Sequence, residues 1–309
     1  MTALGGAATE SKRQRGKRGP DGRGARPSRV AAPRIAVVGH VEHVTLGCTD
    51  GVPSPGDIIH LRDARFLPGG GGGIAFAQLC RSDAEIHLFT ALGHDEAGRA
   101  VGERIRVAPE RVHVHATVRA VDHPRVVVVV DADGRRTIIV TADPLQPVVT
   151  DPLPWSILSG CDAVYFTGAD PESLRLARAA RGLVVTARRS AALRAAALAP
   201  DVIIGSLSDP RENAPLDAYD PCPGALVLTD GPRAVRIFRR GGTTLVDPPP
   251  APARVVGDYG AGDSFAGAFT FFLAHGLSVE EACRRAGPHG AAVLRGIDPL
   301  DTQTPLVAP

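Results

Sequence analysis

Short, unbroken apolar runs alternate with stretches of helical spacing along most of this chain. Ile35-Ala-Val-Val-Gly39 is a continuous apolar run closed by glycine, the pattern of a buried strand in a parallel sheet. Asp57 to Arg65 predicts an extended segment ahead of a glycine run, Gly69 to Gly73, and Ile74 to Arg81 predicts a helix opening from that loop. Glu85 to Thr90 predicts a further strand. The middle differs: Val112 to Ala116 alternates, and Arg125 to Val130 joins Thr137 to Val140 through Asp131-Ala-Asp-Gly134, a hairpin pattern. After Trp155 the strand-then-helix order returns. Ala163 to Phe166 precedes a helix over Pro171 to Ala180, and Leu183 to Thr186 precedes one over Ala191 to Ala199. Val202 to Ile204 and Ala225 to Thr229 are strands, and two long helices fill Ser264 to His275 and Val279 to Leu294. The pattern predicts an α/β fold: a doubly wound, mostly parallel sheet covered by helices on both faces, with a small β lid from about 57–66 and 112–140.

Composition narrows the picture. The chain has 309 residues, 44% hydrophobic and 22% charged, with a formal net charge of +2 whose basic excess sits near the N-terminus. Residues 1–33 lack apolar periodicity and read as a disordered, solvated basic tail rather than a nucleic-acid arm, leaving 34–309 as the folded domain. No apolar run approaches the roughly 18 residues of a membrane span, and no apolar core follows the N-terminal charges, so a cytoplasmic protein is expected. The five cysteines are scattered and never spaced as CxxC, which fits reduced thiols. The only lysines are Lys12 and Lys17. Phosphate chemistry in the folded domain must therefore use backbone amides, arginine or metal, which excludes a P-loop lysine or a Schiff base.

The richest segment is Gly257-Asp-Tyr-Gly-Ala-Gly-Asp-Ser-Phe265 ahead of a helix. Gly260, Ala261 and Gly262 let the backbone turn with its amides converging, and the helix adds the positive end of its dipole, a nest for a phosphoryl group. Asp263 stands where it could take a proton from an attacking hydroxyl. Spacing alone serves equally well a plain loop with Asp263 as helix N-cap.

GAGDSFAGAF closely resembles the C-terminal signature of the ribokinase-like (PfkB-type) carbohydrate kinases. In the same order, IAVVG resembles that family's first strand, the glycine run its sugar-side Gly-Gly motif, and Phe89-Thr-Ala-Leu-Gly-His-Asp-Glu-Ala-Gly98 its Gly-x-Asp-x-x-Gly turn. Leu228-Thr-Asp-Gly231 resembles its phosphate-contacting turn. The resemblance covers residues 34 to about 297. It implies ATP-dependent phosphoryl transfer to a hydroxyl of a sugar or sugar-like molecule, with Asp263 as base, the amides of Gly260 to Gly262 as anion hole and Mg²⁺ bridging the phosphates. It also implies nucleotide contacts at Thr229 and Gly231, acceptor contacts at Gly69 and Gly70, and a homodimer through the β lid.

The chain departs from the family pattern in several places. Asp258 precedes Tyr259 where the family has Asp-Thr, which bears on a K⁺ site at Asp258. The family's Asn-x-x-Glu falls on Ser206 and Asp209, so Asp209 is expected to reach magnesium through water. The asparagine after the Gly-Gly motif falls at Ile74 and the sugar-binding aspartate at Val44, which leaves Glu42 either as a substitute hydroxyl partner or as a plain surface glutamate. The acceptor pocket therefore reads as less polar than a pentose site. The remaining readings are a turnover-deficient regulator of the same fold, or a nucleoside or vitamin-precursor kinase. His40 and His43 flank Glu42, and His113 and His115 share one strand face. Neither pair has a third metal ligand at a telling spacing, and the second reads as a lid strand.

Overall fold

The computed structural model describes residues 32–106 and 109–309. The segment read as a basic tail, apart from its last two residues, lies outside the described residues.

In chain order the elements are β1 (Arg34–Val38), β2 (Glu42–Cys48), β3 (Arg62–Gly69), α1 (Gly70–Leu79), β4 (Glu85–Gly93), α2 (Glu96–Arg106), β5 (Val112–Arg119), β6 (Arg125–Val130) and β7 (Arg136–Val140). They continue with β8 (Ala163–Phe166), α3 (Pro171–Ala177), β9 (Leu183–Thr186), α4 (Ser190–Ala196), β10 (Val202–Ser206), β11 (Ala225–Asp230), β12 (Arg233–Arg239) and β13 (Gly242–Val246). The chain closes with α5 (Ala261–Ala274), α6 (Val279–Val293) and the short α7 (Pro299–Thr302).

The large sheet has the order β13-β12-β11-β10-β9-β8-β1-β4-β5. From β11 to β5 the strands run parallel, and β12 and β13 extend the sheet antiparallel. The chain winds from β1 to β4 and β5, then returns to the other side of β1 with β8. The crevice beyond the carboxyl ends of β1 and β8 is therefore the topological switch point, where open α/β sheets bind ligands. Both faces are covered. Ile35, Val37 and Ile86 pack against Phe265, Phe269 and the rest of α5, while Ala36, Val38 and Phe166 pack on the opposite face with Leu174 and Leu193. Continuous apolar strands are what this two-sided burial requires.

The second sheet has the order β3-β2-β6-β7, with a parallel central pair, β2 and β6, between antiparallel neighbours. Its inward side chains Val44, Leu46, Leu67, Val126 and Val128 close on Ile74 and Tyr259. The hairpin over Arg125–Val140 forms as the sequence suggests, in register Val126↔Val140.

Two parts of the expected lid are corrected. Val112–Arg119 belongs to the large sheet as its edge strand β5, parallel to β4 with His87 opposite His113. Its alternation reflects the partial exposure of an edge strand, which has the same signature in either sheet. The strand that completes the small sheet is β2, Glu42–Cys48, and the extended segment expected from Asp57 becomes strand only at Arg62. The glycine run also differs from a loop. Helix α1 begins inside it, at Gly70, because the helix presses so close to the β1–β2 turn that a Cβ on Gly72 would lie 2.6 Å from the His40 carbonyl oxygen.

Candidate active site

Helix α5 begins beside the switch-point crevice, and its N-cap is Gly260 in the left-handed conformation, φ +80°. A Cβ there would be 2.9 Å from Pro299 Cβ, so glycine is required on both conformational and steric grounds. The Ala261 amide donates back to the Asp258 carbonyl at 3.5 Å, and the helical ladder begins with Ser264 N–H to the Gly260 carbonyl at 2.9 Å. The amides of Gly262 and Asp263 precede that ladder, at the positive end of the helix dipole. A Cβ on Gly262 would meet nothing within 4 Å, so the space in front of the helix is open.

Asp263 lies in the first turn, not at the cap. Its carboxyl is raised to about 6 by burial and by the charge of Glu212, with Arg136 and Arg188 opposing at a distance. A base titrating near neutrality is poised both to accept and to release a proton. Across from it, a Cβ on Gly71 would lie 3.2 Å from Asp263 Oδ1 and 3.1 Å from Thr167 Oγ1. Asp263 therefore faces the glycine-rich start of α1, and that start stays bare.

Three residues that the sequence reading left out of the site join this wall. The Tyr259 hydroxyl accepts from the Gly70 amide at 3.3 Å, joining the loop before α5 to the start of α1. His40, at the end of β1, accepts from the Gly71 amide on Nε2 at 3.4 Å, and its pKa is lowered to about 3 by burial and by Arg189 and Arg188. It is a neutral imidazole. Arg189 reaches its Nδ1 at 3.5 Å and donates through Nε to the Thr167 carbonyl at 2.8 Å. Tyr259 sits inside the Gly257–Phe265 motif without a role assigned from spacing, whereas His40 and Arg189 are brought to residues 167 and 263 by strand order alone.

Glu42 lies in this wall and is buried, not a surface glutamate. Its side chain closes on Gly70, whose φ is +77° and whose Cβ would lie 3.2 Å from Glu42 Cγ. Burial, then the charge of Asp263, raises the Glu42 carboxyl to about 7. Gly69 is also at the site, where a Cβ would lie 2.5 Å from the Tyr259 hydroxyl. Ile74 is not. It is fully buried in the core between α1 and the small sheet, like Val44, so the departures from the family pattern at these two positions serve packing and leave neither side chain to touch an acceptor.

Further along the sheet, where nucleotide contacts are expected, Ser206 and Thr229 are adjacent strand-end residues of β10 and β11, and Gly231 follows in a left-handed turn, φ +58°. Asp209 is clamped by Arg211, through bonds of 3.1 Å to each of its oxygens, and by Arg188; the Arg211 bonds first, with the Arg188 charge beside them, lower its carboxyl pKa to about 2. Arg188 also pairs with Glu212. Asp258 gives Oδ2 to Arg136 of β7 at 2.5 Å and keeps a buried, unpartnered Oδ1. The Gly-x-Asp-x-x-Gly turn is structural: Asp95 Oδ1 accepts from the amides of Gly98 and His123, and Oδ2 pairs with Arg125 of β6 at 3.0 Å.

Comparison with known proteins agrees with this architecture. Residues 205–299 match the family described as "pfkB family carbohydrate kinase". The chain is 27% identical over 268 residues to a ribokinase of Lactococcus lactis subsp. lactis (strain IL1403), a match covering 82% of this chain and 88% of that protein. Among solved structures it is similar to Arabidopsis thaliana ribokinase complexed with ribose and ATP, with TM-score 0.68, 18% identity, and coverage of 88% of this chain and 96% of that one. It is equally similar to adenosine kinase from Sinorhizobium meliloti, with TM-score 0.68, 17% identity, and coverage of 90% and 97%. The chain has the ribokinase fold. Among the described residues no helix is long and apolar enough to cross a membrane.

Proposed function

We propose that this protein is an ATP-dependent kinase that phosphorylates a hydroxyl of a sugar or sugar-like molecule. The observation that carries the reading is Asp263: a raised carboxylate in the first turn of α5, facing Gly71 across the switch-point crevice and beside open space at Gly262.

The acceptor hydroxyl lies between Asp263 and the start of α1, with Glu42 as its hydrogen-bonding partner, while His40 holds the Gly71 amide and so the start of α1 in place. Asp263 removes the hydroxyl proton as the oxygen attacks the terminal phosphorus of ATP. The amides at the start of α5, from Gly260 through Gly262, meet the charge on the transferring phosphoryl group. Thr229 and Gly231 border the nucleotide, and Ser206 lies beside Thr229 on the neighbouring strand. Mg²⁺ neutralises phosphate charge when bound. With Asp209 and Glu212 both held by arginine, their carboxylates suit it through water rather than by direct contact. Asp258 Oδ1 is the one oxygen left for K⁺, since Arg136 already supplies a cation to Oδ2. Ile138, Ile139 and Val140, about half exposed on β7, support a homodimer through the small sheet.

The likeness to an adenosine kinase keeps a nucleoside acceptor as the second reading. A coupled ADP-release screen across sugars, sugar acids, nucleosides and pyrimidine alcohols, run beside thermal shifts with ATP–Mg²⁺, tests the proposal. ADP release that depends on a sugar-type acceptor is expected. A nucleotide-induced shift with no turnover across the panel favours a regulator, and neither shift nor turnover overturns nucleotide binding itself.

A further inference from the structure

Away from the crevice, near the amino ends of β4 and β5, the large sheet gathers a second group of chemistry-bearing side chains. Glu85 and His87 share one face of β4, and parallel register places His113 of β5 beside His87. His87 Nε2 lies 3.1 Å from Glu85 Oε1, and His113 Nε2 lies 3.8 Å from the same oxygen. One ligand atom from each of the three falls within 4.8 Å of the others.

We propose that Glu85, His87 and His113 form a binding site for a single divalent transition ion of the zinc class. A tetrahedral ion with ligand bonds of about 2.0–2.2 Å separates its ligands by roughly 3.3–3.5 Å, and the two measured edges bracket that spacing. The donors are two imidazoles and a carboxylate, the set such ions take when a fourth position stays open to solvent. Solvent does reach the site: the Glu85 and His113 side chains are 35% and 42% exposed, and β5 is the sheet's edge. The His113 ring stacks on His87 with centroids 4.8 Å apart, and its exposure gives it room to turn out of that stack toward the ion.

The surrounding contacts leave the proposed donor atoms in place. Arg34 binds the other carboxylate oxygen, Glu85 Oε2, at 3.1 Å, leaving Oε1 for the metal. His115 Nε2 meets His87 Nδ1 at 3.1 Å, so the far nitrogen of His87 has a partner that fixes its ring while Nε2 faces the site. Such outer partners orient metal-ligating groups. The sequence could not show this triad, because Glu85 and His87 come from a different strand than His113 and His115. Bound, the ion would pin edge strand β5 to β4 at the end of the sheet remote from Asp263.

Isothermal titration of the full chain with ZnCl₂ in a non-chelating buffer tests the site, with Co²⁺ visible absorption reporting coordination. One ion per chain is expected, with binding at least about 10-fold weaker in His113→Ala and in Glu85→Gln. Binding should be unchanged in Glu42→Gln, which alters the other His–Glu pair, and turnover should be unchanged in His113→Ala. Circular dichroism checks that each variant is folded, and near-isosteric Glu85→Gln serves if His113→Ala is not. Absence of saturable binding, binding that survives both Glu85→Gln and His113→Ala, or binding lost in Glu42→Gln would each overturn the proposal.

Discussion

The Asp258 carboxylate and the Arg136 guanidinium meet at 2.5 Å, joining the loop in front of α5 to the outer strand of the small sheet. One residue further on, the Tyr259 hydroxyl accepts from the Gly70 amide. The loop that would hold phosphate is thus tied on one side to the small sheet and on the other to the glycine-rich start of α1.

That tether has a measurable consequence. Asp258 and Arg136 are 36% and 40% exposed, so the pair contributes at most about 1 kcal/mol to stability. Arg136→Ala should lower Tm by no more than about 3 °C. Released from the tether, the loop should position phosphate less well, and kcat/KM should fall about 10-fold. Calorimetry and kinetics on one preparation separate the two effects; unchanged kcat/KM would show that the pair positions nothing.

Gly262→Val examines the open space before α5. Because a Cβ at Gly262 meets nothing within 4 Å, the variant should fold with Tm within about 3 °C of the parent. Its side chain would occupy the volume a phosphate needs, so ATP should bind at least about 10-fold more weakly by calorimetric titration. Wild-type ATP affinity would mean that phosphate lies elsewhere.

Glu42 carries a pH prediction. Its folded-state pKa, about 7 against an ordinary 4.5, means the folded chain holds a proton that the unfolded chain has lost over that window. Stability from this group is complete below about pH 4.5 and is lost as pH rises through 7. Glu42→Gln cannot ionise. It should gain about 1–3 kcal/mol over the parent at pH 8 and little at pH 4, read from urea denaturation at both values. A variant less stable than the parent at pH 8 would show that Glu42 is held by a compensating interaction instead.

The parts of this molecule legible in sequence are those encoded by short-range pattern. The buried parallel strands, the hairpin over Arg125–Val140 and the Gly-Ala-Gly-Asp start of α5 all carry their own signatures. Sheet membership did not, because β5 alternates as an edge strand of the large sheet much as it would in the small one. His40 and Arg189 belong to the site through strand order and packing, which no local spacing records, while Tyr259 lies within the motif but its bond to Gly70 is a tertiary contact. Ile74 and Val44 illustrate the converse. They fall on positions with a functional counterpart in the resembling family, yet both are wholly buried and serve the core.

Asp263→Asn is the most direct test of the account. Asparagine keeps the size of the side chain but cannot accept the hydroxyl proton, and Asp263 lies inside the first turn of α5 rather than at its cap, so the fold should be undisturbed. With the acceptor found by the ADP-release screen, kcat should fall by about 10²–10⁴. ATP affinity and Tm should stay close to those of the parent, since in the proposed mechanism backbone amides hold the phosphates. In the parent enzyme kcat/KM should rise with pH through an apparent value near 6 to 7, belonging jointly to Asp263 and Glu42, because a base must be ionised to act. An Asp263→Asn protein that turns over at close to the parent rate would contradict the mechanism.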